Sequence, residues 1–67
     1  MKIIRACIYP KDIQCITGRS ERFGRRLLND IKLHFGKQPH QFITAREFSE
    51  YSGIDHEIIQ EYLMKVS

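Results

Sequence analysis

No run of apolar residues in the chain approaches the ~20 that a membrane-spanning helix requires. The longest, Ile3-Ile4 followed by Ala6 to Tyr9, is broken by Arg5. Cysteine is scarce as well: Cys7 and Cys15 are too few for a disulfide scaffold, and their spacing is not the C-x-x-C of a redox or zinc-ribbon pair, so a reduced compartment fits. There is no glycine-rich phosphate loop and no Cys–His pair in a recognised local signature. A chain of 67 residues also offers little room for a deep pocket, so an enzyme is not expected. His34, His40 and His56 join the two cysteines in no recognised ligand spacing, and neither a metal nor a cofactor is expected. Met1-Lys2 and the short apolar stretch after them lack a following small-residue cleavage site. The expectation is a soluble, cytoplasmic protein with no membrane partner and no evident small-molecule substrate.

What is present suffices for a core. Hydrophobic residues make up 42% and charged residues 28%, close to the globular norm. The length limits the chain to one small domain of three or four short elements and excludes a solenoid or a doubly wound sheet. A core of that size offsets the entropy of ordering only narrowly, so a partner chain would help.

Charge is distributed unevenly. Residues 1–37 hold nine basic side chains against three acidic, a net +6, and residues 38–67 hold two against five, a net −3. A basic first half suggests contact with nucleic acid, while the plainer alternative is a pair of solvated faces.

Lys2 to Tyr9 is rich in β-formers and reads as a short strand or extended arm. It needs a partner, either a short piece such as Gln41 to Ile43 or its own copy in a second molecule, which would make a homodimer through the N-terminal segment. Pro10 suits the first turn of a helix over 10–17, Asp12 complements its dipole, and Gly18 ends it. Ser20 caps a helix over 20–35, with Phe23, Leu27, Ile31 and Phe35 recurring every four residues and Leu28 widening the stripe. Gly36 stops that helix, and Lys37 to Gln41 reads as a loop. Thr44-Ala45-Arg46-Glu47 has the form of a capping box and opens a helix over 45–52. Gly53 interrupts, Asp55 caps again, and Ile58, Ile59, Tyr62, Leu63 and Val66 give the apolar side of a helix over 55–65.

A shift of 35 positions superposes the two halves in pattern. Ile8 falls on Ile43, Ile13 on Phe48, Ile16 on Tyr51, Gly18 on Gly53, Ser20 on Asp55, Phe23 on Ile58, Leu27 on Tyr62 and Leu28 on Leu63. Coincidence in an isoleucine-rich chain is one explanation. The other is two helix-turn-helix units, since a short glycine turn between two amphipathic helices is the geometry of that motif. The expected fold is therefore mainly α, with an arm over 1–9, a basic unit over 10–36 and an acidic unit over 43–66.

Pro10 to Ser20, followed by Phe23 and Leu27-Leu28, resembles a bacterial helix-turn-helix of the small-regulator type. Ile43 to Phe48, with Tyr51, Gly53 and Ile54, resembles the opening of excisionase and MerR-like units. The stretch Thr17 to Leu28 is also similar to a group of small bacterial proteins of unassigned function. The resemblance covers about 50 of the 67 residues through degenerate motifs and implies DNA binding by the helix after Gly18. Two features depart from it. Gly24 lies inside that helix, at a cost of about 1 kcal/mol unless a close contact needs it, and the second unit carries Asp55, Glu57 and Glu61 where phosphate contact would be made.

Arg19, Arg22 and Arg26 share one helix face, with Arg25 beside them. Arginine in that setting can read guanine through two hydrogen bonds. Thr17 and Ser20 near the helix start would contact phosphate, and Lys11 and Lys32 would add outlying positive charge. The competing reading is a solvated face held by Glu21–Arg25 and Arg26–Asp30 pairs four residues apart. Two functions remain. One is a small DNA-binding regulator or excisionase-like architectural factor. The other is a protein-interaction module that docks a partner through the acidic C-terminal helices or the N-terminal strand.

Overall fold

The computed structural model describes residues 6–66, Val66 through its backbone. Four helices occupy this span: α1 Pro10–Thr17, α2 Glu21–His34, α3 Ala45–Ser52 and α4 His56–Val66. None of them is long and apolar enough to cross a membrane. Each starts where the local chemistry supplies an acceptor. Ser20 Oγ accepts from Phe23 N–H (3.1 Å) at the head of α2, and Asp55 Oδ1 accepts from Glu57 N–H (2.9 Å) at the head of α4. The capping box read from the sequence closes α3: Thr44 Oγ1 accepts from Glu47 N–H (3.1 Å), and Glu47 Oε1 accepts from Thr44 N–H (2.9 Å). At α1 the carboxylate alone does this work, Asp12 Oδ2 accepting from Tyr9 N–H (2.8 Å) behind Pro10.

Gly18 and Gly53 end α1 and α3 at φ 74° and 79°, the left-handed conformation that costs a residue without Cβ nothing. Gly24 serves another purpose. A Cβ built there would lie 2.5 Å from the carbonyl oxygen of Pro10, so its missing side chain is what lets the start of α1 lie against α2. That contact accounts for a glycine in mid-helix.

The strand expected in the N-terminal segment is not formed among the described residues. Extended pairing is confined to one antiparallel bridge, Cys7 opposite Thr44, with Ile8 N–H donating to Ile43 O (2.9 Å) and Ala45 N–H to Ala6 O (2.7 Å). Pro10 begins α1 on one side and Ala45 begins α3 on the other, so neither segment can continue as a ladder. The partner of residues 6–8 is thus a segment of the same chain, shifted toward 43–45 from the expected 41–43. The rest of the expected arm, residues 1–5, lies outside the described residues.

One buried cluster joins all the elements. Ile8, Ile13, Leu28, Ile31, Ile43, Ala45, Phe48, Ile59 and Leu63 are each at most 8% exposed, and Phe23, Leu27 and Tyr62 pack on its margin. Removing an isoleucine or phenylalanine side chain of this kind from water stabilises the fold by about 1.5–3 kcal/mol. Residues 35 positions apart carry the same local devices here: the two left-handed glycines, the Ser20 and Asp55 caps, the Asp12 and Glu47 carboxylates on backbone N–H groups, and buried Ile13 and Phe48. Ile8 and Ile43, themselves 35 apart, are hydrogen-bonded to each other. The match fails at Ile58, which is 57% exposed where Phe23 is packed against the core.

Candidate nucleic-acid interface

Burial of Gly24, Leu28 and Ile31 fixes which side of α2 faces inward, and the opposite side is turned to solvent. Arg22, Arg25, Arg26 and Asn29 are exposed on it. Arg19, in the turn before the helix, lies over the Phe23 ring with its guanidinium carbon 4.5 Å from the ring centroid, an attraction of cation and π-face that holds the side chain along the helix start. Arg25 pairs with Glu21 (3.0 Å), as the spacing predicts. The Arg26–Asp30 pair is not formed: Arg22 and Arg26 make no hydrogen bond or ion pair with any described residue. Pairing along this face is therefore partial, and two of the four arginines keep all their donors free.

The two hydroxyls differ chemically. Thr17 Oγ1 donates its single proton to Ile13 O (2.6 Å) and accepts from Arg19 N–H (3.2 Å), which makes it a brace for the turn with no proton left for a phosphate. Ser20 Oγ only accepts, from Phe23 N–H, and its own proton stays available. Lys32 gives one hydrogen bond to Pro39 O (2.8 Å), fastening α2 to the 37–41 loop. Lys11 is exposed on α1 without a partner among the described residues.

Two residues stand out that charge alone does not reveal. Asn29 lies on the arginine side three residues after Arg26, and its signal in the sequence is that spacing. Lys37, placed in a loop by composition, donates to Glu47 Oε1 (2.7 Å) and to Phe42 O (2.7 Å), clamping the loop to the start of α3. Burial by itself would raise the Glu47 carboxyl, but the Lys37 hydrogen bond, the Thr44 N–H and the lysine charge outweigh it and hold the group below its ordinary value.

A shallow groove of about 410 Å³ runs beside the arginine face, between Arg25, Asn29 and Lys32 on one side and Tyr9 and Phe42 on the other. The two rings meet edge to face with centroids 6.4 Å apart. On the far side of the molecule, α4 turns Glu57, Ile58, Glu61, Met64 and Lys65 outward. Cys7 is half-buried and Cys15 exposed, and among the described residues no three His, Cys, Asp or Glu side chains are gathered where they could hold a metal ion. Compared with protein-family models, with curated proteins and with solved structures, the chain matches none.

Proposed function

We propose that the chain is a small DNA-binding protein, a transcriptional regulator or an architectural factor, built from two tandem helix-turn-helix units. The first unit, α1 and α2 about Gly18, would carry the contact, with α2 in the major groove. The observation that carries this reading is the pair Arg22 and Arg26, exposed on the outward face of α2 with every donor uncommitted. An exposed arginine on a helix this rich in acidic neighbours ordinarily finds one, as Arg25 finds Glu21. In a helix-turn-helix the early residues of the second helix meet base edges, and flanking cations and hydroxyls meet phosphate. Arg22 and Arg26 would take the first role, with Arg19, Ser20, Arg25, Lys11 and Lys32 in the second. The repeated caps and glycines support the second unit, α3 and α4, as a structural counterpart whose Asp55, Glu57 and Glu61 keep it from phosphate.

A second reading has its own support. The outward face of α4 carries Ile58 at 57% and Met64 at 46% exposure among the acidic residues, a pattern that suits a protein partner. A nuclear magnetic resonance titration with a random-sequence duplex separates the two. Amide shifts gathered over residues 17–30 with α4 unmoved are expected. No shifts on adding the duplex, or shifts gathered on α4, would overturn the DNA reading.

A further inference from the structure

The exposed residues of α2 are not equivalent. Arg22, Arg26 and Asn29 follow one another at intervals of four and three, so they stand in one row along the helix. None of the three makes a hydrogen bond or ion pair with a described residue. The polar residues at the margins of the same face are engaged: Arg19 on the Phe23 ring, Arg25 on Glu21, Lys32 on the Pro39 carbonyl. Uncommitted donors and the one uncommitted amide of this face thus fall on a single line, held outward by the burial of Leu28 and Ile31 opposite.

Resting on the DNA-binding reading above, we propose that this row sets sequence preference, Arg22 and Arg26 each taking a guanine and Asn29 taking an adenine. The ligand is then a duplex with two G·C pairs and an A·T pair adjacent in one major-groove segment. The chemistry is that of the groups themselves. A guanidinium fork matches the O6 and N7 acceptors of guanine, and a carboxamide, with one acceptor and one donor side by side, matches N6 and N7 of adenine. The spacing agrees: seven residues at 1.5 Å each span about 10 Å, or two turns, and side chains spread over two turns of a helix in the groove meet three successive base pairs. Reaching a base from Asn29 requires α2 to lie along the groove and not to enter it by its tip.

Selection from a library of duplexes with a randomised core, using the full chain, tests this. The wild type should enrich a core of two G·C pairs beside an A·T pair. Asn29→Ala should lose preference at the A·T position alone, by about 5- to 150-fold, with the guanine positions kept. Asn29→Arg should move the preference there to G·C. Asn29 is exposed, and an unchanged circular dichroism spectrum excludes misfolding as the cause. If the wild type binds duplexes with no base preference, or Asn29→Ala selects the same core as the wild type, this inference is overturned while the DNA reading survives. If the wild type retains no duplex at any salt concentration, both fall.

Discussion

Gly24 shows how a residue that weakens a helix locally can be required by packing. Alanine there would gain about 1 kcal/mol in helix propensity, yet its Cβ would meet the Pro10 carbonyl at 2.5 Å, a backbone atom that cannot swing aside. Overpacking of this kind costs about 1–3 kcal/mol. Gly24→Ala is expected to lower the urea midpoint, and an unchanged or higher midpoint would show that α1 and α2 can part without loss. Glu47 gives a second residue-scale expectation. Its carboxyl is held below the ordinary value, so the stability it contributes is present above the unfolded-state value of 4.5 and is lost as pH falls through the lower folded value. Glu47→Gln should therefore be less stable than the wild type at pH 7, with the difference shrinking toward pH 3 in urea titrations. A constant difference across that range would mean that the Lys37 contact contributes nothing through charge.

At the scale of elements, helix positions were legible in the sequence to within about one residue, because Ser20, Thr44 and Asp55 are caps and Gly18 and Gly53 are stops, all of them local signals. The N-terminal segment was not. Its β-forming composition describes a preference for extension, but the length of a ladder depends on where the other segment turns into helix, and Pro10 and Ala45 end it after one bridge. The arginine face was legible as a row of charge; which arginines are free was not. Glu21–Arg25 and Arg26–Asp30 have the same spacing, and only the first pair closes. Since Arg22 and Arg26 have no partner to lose, replacing both by alanine should change folding stability by no more than about 0.5 kcal/mol. A larger loss in thermal unfolding would assign them a structural role.

The whole molecule is electrically polar, with a net +6 over residues 1–37 and −3 over residues 38–67. A polyanion would be drawn to the α2 side and repelled from α4, where Glu57 and Glu61 are exposed. Glu57→Gln with Glu61→Gln should therefore leave DNA affinity the same or slightly higher, and a marked loss would place α4 in the contact. The measurement that bears most directly on the central claim is a fluorescence-anisotropy titration of a labelled random-sequence duplex at two salt concentrations, with the wild type and with Arg22→Ala/Arg26→Ala. The account predicts binding that weakens as salt rises, with a double variant of lower affinity and with the slope of log affinity against log salt reduced by about one unit for each phosphate-facing arginine removed. Absence of salt-dependent binding at micromolar protein, or a double variant that binds as tightly as the wild type, would contradict it.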